Sequence, residues 1–233
     1  SLPVPRIIKT VAAGKNISSA ILMHYLPGNL LKTTDLNHTL AHHIGAVLAQ
    51  IHSNSTQGFG DLSQPDQLTT DPCFHFTQKF TEGIAECKNH LPTALIKKCS
   101  AYYEANRQAL TAVDGPCMIH RDFRPNNIIV QNHELQGIID WSSGRASFAE
   151  DDFCPIEHEE WLGFSTYKKS FLTGYASIRP VPNLSKIMPL LRLNRAIAVI
   201  GFTVKRGTWN GINARTYQFN HEFLKNFFVT NEK

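Results

Sequence analysis

The chain has 233 residues, of which 42% are hydrophobic and 18% charged, and its formal net charge is +4. A chain of this length and composition can bury one substantial core, which excludes a disordered or fibrous protein. The longest uncharged apolar run, 196–202, is far too short to span a bilayer, and the first residues lack the order of a signal peptide, so we expect no membrane association. The five cysteines are dispersed and form no C-x-x-C pair: Cys73, Cys87, Cys99, Cys117 and Cys154. This pattern favours a reduced, cytoplasmic protein over a disulfide framework or a zinc site.

Two short apolar segments come first, around 7–8 and 18–23, and Gly14 between them predicts the turn of a β-hairpin. The second segment continues through Leu26, after which Pro27 and Gly28 would end the strand and allow the chain to turn. From these residues alone, an ordinary core strand is the favoured interpretation.

Most of the remaining chain is predicted to be helical. Apolar residues at helical spacing predict one helix with an apolar face from Leu40 to Ile51 and another that Pro92 opens and that includes Tyr103. A long apolar helix is predicted from about 186 to 205, and a terminal helix carries Phe219, Phe223, Leu224 and Phe227. We expect these apolar faces to form a core.

Between those helices, 117–141 contains a polar loop and two apolar strands. We predict strands at 127–130 and 137–139, joined by a turn at 131–134 into a hairpin. This hairpin would place Asn127 and Asp140 side by side at one end, with Asp122 on the loop that enters it.

Oxygen ligands gathered in this way suit Mg²⁺. In phosphoryl transfer one Asp orients or deprotonates the acceptor hydroxyl, while an Asn and a second Asp hold the metal ions that bridge the phosphates. The sequence therefore predicts Asp122 as the catalytic base and Asn127 and Asp140 as the metal ligands.

The loop resembles that of a known family. Residues 120–130 resemble the H-G-D-x-x-P-x-N loop of the aminoglycoside phosphotransferase and choline kinase group, and 139–141 resembles its I-D-[WF]. Arg121 stands where that group most often has Gly, which makes the loop also similar to the H-R-D-x-x-x-x-N of protein kinases. However, 140–142 is not D-F-G, and 155–157 comes too soon to end a protein-kinase activation segment, so the small-molecule branch is the better match.

The resemblance implies an α+β, protein-kinase-like fold with a mainly helical large lobe and a catalytic β-hairpin. It assigns 1–27 to a remnant hairpin of the small, nucleotide-binding lobe and the hinge, and 28–233 to the large catalytic and acceptor-binding lobe. A complete enzyme of this kind has roughly a hundred residues before the hinge, including a glycine-rich loop and a strand Lys. We therefore expect most of the small lobe to be missing from this chain.

The resemblance also implies site residues and ligands. The nucleotide, ATP or GTP with Mg²⁺, would contact the hinge and the hairpin through Met23, His24, Tyr25, Ile129 and Ile139. At the catalytic loop, His120 would brace the backbone and Arg124 would contact the transferring phosphate.

Charge distribution suggests the acceptor. Residues 1–160 are net acidic and 161–233 are strongly basic, and the carboxylates are concentrated in 150–160, where there is no Lys or Arg. Carboxylates beside the acceptor would attract an amino sugar or amino alcohol, and Trp161 could add a cation–π face. We predict Glu157, Glu160 and Trp161 as acceptor contacts, although for any single acid a helix cap or a solvated position is the favoured interpretation. Asp152 matches a position that is structural in the family.

The sequence thus predicts an ATP-dependent phosphotransferase that acts on a hydroxyl of a small, cationic acceptor. The basic C-terminal part is interpreted as a solvated helical face, so no nucleic-acid partner is expected. The first alternative is a catalytically inactive kinase-like binding module, and the third choice is a protein kinase.

Overall fold

The computed structural model describes residues 2–14, 18–161 and 163–231, with side chains described to residue 229. It begins with strands β1 (Ile7–Val11) and β2 (Ala20–Met23), which pair antiparallel with Val11 opposite Ala20. The predicted N-terminal hairpin is therefore confirmed, although its tip at 15–17 lies outside the described residues. Apolar side chains cover this ribbon and remain exposed, from 39% for Val11 to 59% for Leu22.

Residues 24–28, the predicted hinge, pass close to the sheet that follows the predicted catalytic loop. Strand β3 (Asn29–Leu30) pairs with β5 (Ile128–Gln131), which pairs with β6 (Glu134–Ile138), all antiparallel. Gly28 has φ +124°, and a Cβ there would lie 2.3 Å from the Val130 carbonyl oxygen. Only glycine allows this approach, so the predicted turn at the end of the hinge is confirmed.

A further sheet, of two strands, flanks the loop at 120–127. Strand β4 (Cys117–Ile119) pairs antiparallel with β7 (Arg145–Ser147), and Ile119 lies opposite Arg145. The loop therefore leaves one sheet at β4 and enters the other at β5.

Helices make up most of the large lobe. They are α1 (His38–His52), α2 (Pro72–Glu86), α3 (Thr93–Asn106), α4 (Glu150–Glu157), α5 (Lys168–Ala176), α6 (Leu184–Lys205) and α7 (Ala214–Asn231). The predictions of α1, α3, α6 and α7 are confirmed, whereas α2, α4 and α5 were not predicted. Local caps explain two of the starts: Asn37 accepts from the Leu40 amide (2.8 Å) before α1, and Asp71 accepts from the Cys73 amide (2.8 Å) before α2.

The core lies where these helices meet. Helices α1 and α5 approach closely at Gly45 and Gly174, where a Cβ would lie within about 2 Å of a backbone oxygen of the opposite helix. Helix α6 packs against α2, α4 and α7 and buries Leu193, Ile197 and Ile200. By length and composition α6 could also cross a bilayer, but 56% of its apolar window is buried inside the protein, and a core helix passes the same test.

Candidate active site

His120 connects the catalytic loop to the end of β6. The Asp122 amide donates to His120 Nδ1 (3.3 Å), so the proton is on Nε2, which donates to the Ile139 carbonyl (2.9 Å). The ring is fully buried. With both nitrogens bonded to backbone groups, His120 has the geometry of a bracing residue rather than a reacting one.

Asp152, in the first turn of α4, holds the start of the loop. Its Oδ2 accepts from the His120 amide (2.7 Å) and from His52 Nε2 (3.1 Å), and its Oδ1 accepts from the Arg121 amide (2.5 Å). His52 in turn is bonded through Nδ1 to the Tyr175 hydroxyl (2.9 Å). Because Asp152 has no exposed surface, it positions the loop and does not contact substrate.

Arg121 adopts a backbone conformation that few non-glycine residues adopt. Its φ is +66°, in the left-handed region, which costs an L-residue with a Cβ about 1–2 kcal/mol. The resembling motif has glycine at this position, and the structure gives the physical reason. The Arg121 amide bond to Asp152 holds the strained backbone in place.

Asp122 presents one carboxylate oxygen to the cavity. Asn127 Nδ2 donates to both the Asp122 carbonyl (2.8 Å) and its Oδ2 (2.8 Å), and Arg124 Nε donates to the same Oδ2 (3.0 Å). Within the described residues, Oδ1 has no hydrogen-bond partner. It is therefore the atom available to accept a proton from a bound hydroxyl group.

Asp140 reaches the same cavity from the other strand. The Ile139 amide donates to the Asn127 carbonyl (2.9 Å), so Asn127 and Asp140 meet at one end of the hairpin, as predicted. Asp140 has φ +59°, and Ser142 Oγ donates to its Oδ1 (2.7 Å). Asp122 and Asp140 both line a cavity of about 1080 Å³.

The metal prediction fits this donor set. The Asn127 amide nitrogen is used by Asp122, which leaves its oxygen as the candidate ligand atom. Asn127 is 4% exposed and is not one of the residues that line the cavity, whereas Asp140 is. No group of three or more His, Cys, Asp or Glu side chains in the described ranges is arranged to hold a metal ion. Mg²⁺ does not need such a group, since one or two protein oxygens together with phosphates and waters complete its octahedron.

The predicted nucleotide contacts lie outside this cavity. In the described part of the chain its lining does not include Met23, His24, Tyr25, Ile129 or Ile139. The His24 amide donates to the Arg6 carbonyl (2.9 Å), and Tyr25 is 84% exposed. The hinge nevertheless adjoins the catalytic hairpin, because a Cβ at Gly137 would lie 2.4 Å from Leu26 Cδ1.

Two of the three predicted acceptor contacts line the cavity. Glu157 does not, and its carboxylate pairs with Lys168 (2.6 Å). Glu160 does, but both its oxygens accept from Arg195, whose terminal nitrogen lies 2.6 Å from Oε2. Trp161 is 4% exposed, donates from Nε1 to the Phe123 carbonyl (3.2 Å) and forms part of the wall.

Sequence reasoning missed much of the cavity wall. Asp151, whose pKa is raised by burial, lines it together with Arg121 and Arg145. The wall as a whole carries both signs of charge. Its basic residues are Lys32, Lys79, Arg121, Arg124, Arg145, Arg195, Arg206 and Arg215, and its acidic residues are Asp122, Asp140, Asp151, Glu159 and Glu160. The left-handed Arg121 was visible only as a departure from the motif, and no local signal marked Arg145.

Sequence comparisons agree with the geometry. The chain is 28% identical over 192 residues to a homoserine kinase of Gluconobacter oxydans, covering 76% of this chain and 56% of that protein. It is 24% identical over 218 residues to a homoserine kinase of Rhizobium etli, covering 89% of this chain and 64% of that protein. The chain thus spans less than two thirds of the length of these curated relatives.

Solved structures of aminoglycoside phosphotransferases have the same fold as this chain. The chain superimposes on the aminoglycoside phosphotransferase APH(4)-Ia with a TM-score of 0.68 at 15% identity, covering 99% of this chain and 77% of that one. The ADP-bound aminoglycoside phosphotransferase APH(2'')-Ib gives a TM-score of 0.58 at 18% identity, covering 98% and 77%. The predicted protein-kinase-like α+β fold is therefore confirmed. A model of the phosphotransferase enzyme family (APH) matches residues 1–153, most of the chain, and the protein accordingly belongs to that family.

Proposed function

We propose that the protein transfers the γ-phosphate of ATP to a hydroxyl group of a small acceptor that also carries an amine. The observation that supports this most directly is that Asp122 and Asp140 line one cavity, while Asn127 is hydrogen-bonded both to Asp122 and to the amide of Ile139, next to Asp140. In this proposal Asp122 is the base, and Asn127 and Asp140 hold Mg²⁺.

The geometry at Asp122 suits a general base. Oδ1 accepts the proton of the acceptor hydroxyl as the hydroxyl oxygen attacks the γ-phosphorus and ADP leaves. Oδ2 is held by Asn127 and Arg124, so the carboxylate is oriented before the acceptor binds. Mg²⁺, when bound with the nucleotide, would neutralise charge that develops on the phosphates.

The class of acceptor is inferred from the similar proteins. The sequence relatives are homoserine kinases and the structural neighbours are aminoglycoside phosphotransferases. Homoserine and aminoglycosides share a hydroxyl and an amine, which supports an amino alcohol or amino sugar. Glu159 lines the cavity and supplies negative charge for an ammonium group, since Glu160 is already paired with Arg195.

The test is phosphate transfer from ATP or GTP to a panel of amino alcohols, amino sugars and homoserine, with the Asp122→Asn variant as comparison. Asparagine keeps the shape but cannot accept the proton, so we expect kcat to fall about 10²- to 10⁴-fold. Asp66→Asn, which changes an exposed aspartate, is the matched control.

Each result has a defined meaning. Transfer that depends on Asp122 supports the proposal, and equal rates in wild type and Asp122→Asn contradict the assigned base. No transfer to any acceptor, together with no thermal stabilisation by Mg²⁺–ATP, would favour the inactive binding module. Phosphate incorporation into peptides alone would favour a protein kinase.

A further inference from the structure

Two arginines that line the cavity with Asp122 make no hydrogen bond and no ion pair through their side chains within the described residues. We infer that Arg121 and Arg145 form a subsite that binds a carboxylate group of the acceptor. This inference rests on the proposed function, because it specifies which hydroxyl compounds the site would accept.

The β4–β7 sheet brings the two side chains together. Arg145 lies opposite Ile119 in the ladder, and Arg121 follows Ile119 by two residues. Both line the cavity that Asp122 faces. The predicted hinge instead packs against the other sheet, through Leu26 on Gly137, so the arginine pair and the hinge adjoin different sheets.

Neither guanidinium group is satisfied by the protein. Across the described residues, the side chains of Arg121 and Arg145 make no hydrogen bond and no ion pair. The other arginines near them differ, since Arg124 bonds Asp122 and Arg195 bonds Glu160. Asp151 shares the wall but lies beyond ion-pair distance of both. Asp151 acts on both guanidinium groups, and Asp61 on Arg145, only from this longer range, so the N–H donors of both arginines are available to an anionic group of a ligand.

Their proximity is unfavourable without an anion. Burial, followed by the charge of Arg121, lowers the pKa of Arg145, and the charges of Asp151 and Asp61 offset only part of this effect. Two like charges held together in a partly buried wall repel each other, and an anion between them would reverse the sign of that contribution. Guanidinium groups present planar pairs of N–H donors that match the two oxygens of a carboxylate.

The backbone of Arg121 supplies independent support. The amide bond to Asp152 could be made by any residue, and glycine would make it without the left-handed strain. Within the described residues, no hydrogen bond or ion pair of the fold depends on the Arg121 side chain. Backbone strain retained at a cavity is expected where the side chain has a role in that cavity.

The experiment compares acceptors that differ only by the carboxylate: L-homoserine and 3-aminopropanol. Dissociation constants by calorimetry and steady-state kinetics are measured for wild type, Arg121→Gly, Arg145→Gln and the control Lys79→Gln. Lys79 lines the same cavity but pairs with Glu82, so its variant removes one positive charge from the wall without touching the subsite. Arg121→Gly is the variant least at risk of misfolding, because glycine fits the backbone.

We expect wild type to bind homoserine more tightly than 3-aminopropanol. Arg121→Gly and Arg145→Gln should weaken homoserine binding at least about tenfold and leave 3-aminopropanol within about twofold. Equal effects on both compounds, no effect on either, or no wild-type preference for homoserine would overturn the inference. If the two arginine variants lost as much affinity for Mg²⁺–ATP as for homoserine, the inference would also be overturned, and the pair would be assigned to the nucleotide phosphates.

The two proposals fail separately. If no acceptor is phosphorylated, the proposed function is wrong, and the calorimetric comparison still decides the subsite. If 3-aminopropanol and homoserine are phosphorylated equally well by every variant, the proposed function stands and the carboxylate subsite is wrong.

Discussion

Asp152 is the residue on which the position of the catalytic loop most depends, and Asp152→Asn tests this. The carboxylate accepts three hydrogen bonds, from the amides of His120 and Arg121 and from His52 Nε2. An asparagine keeps one acceptor oxygen and replaces the other with an NH₂ group that faces a donor. At least one bond to a charged acceptor is lost, at about 1.5–3 kcal/mol, and the others lose the charge.

We therefore expect Asp152→Asn to lower the free energy of unfolding by about 3 kcal/mol. Asp152→Ala leaves all three donors unpaired and should cost about 4–5 kcal/mol, near the upper end for single substitutions. For a chain of this size, the Asn variant should melt roughly 6–12 °C lower than wild type.

Urea unfolding followed by tryptophan fluorescence measures the difference as a shift in midpoint at constant slope. Asp66→Asn, at an exposed position, is the control and should stay within about 0.5 kcal/mol of wild type. A loss below about 1 kcal/mol in Asp152→Asn would show that the three bonds do not fix the loop, and the reasoning would be refuted.

Three further predictions follow from the same network and its surroundings. Tyr175→Phe leaves His52 Nδ1 without its bond and should cost about 1–2 kcal/mol in urea unfolding. Arg121→Gly removes the left-handed strain and should raise the free energy of unfolding by about 1 kcal/mol, and a lower stability would contradict the strain. Burial lowers the pKa of His158 below its ordinary 6.5, so on acidification the unfolded chain takes up a proton that the folded state does not. Wild-type stability should therefore fall as pH decreases through 6.5, and His158→Gln, which can still bond Asn220, should flatten that slope.

The catalytic hairpin could be predicted from the sequence because its information is local. Loop, strand and turn follow one another within 117–141, and the roles proposed for Asp122, Asn127 and Asp140 depend on that order. The acidic run at 150–160 was harder, because what each acid does depends on a distant partner. Glu160 pairs with Arg195, 35 positions along the chain, and nothing near Glu160 signals this.

Helix α4 was missed for a related reason. It holds three acids in its first turn and Pro155 in its interior, a composition that favours a loop. Its burial outweighs that propensity, since Asp152 and Phe153 are fully buried. The acids also have a favourable position, because the positive end of the helix dipole lies at its N-terminus.

The large lobe does more than enclose a cavity. Tyr175 on α5, His52 on α1 and Asp152 on α4 form a continuous chain of hydrogen bonds that ends on the amides of 120 and 121. Misplacing a base by about 1 Å can cost about a hundredfold in rate, so the loop that carries Asp122 must be held at both ends. The hairpin fixes the exit of the loop through Asn127, and three helices fix its entry. The packing of α1 against α5 therefore contributes directly to the orientation of the Asp122 carboxylate, although no atom of either helix enters the reaction.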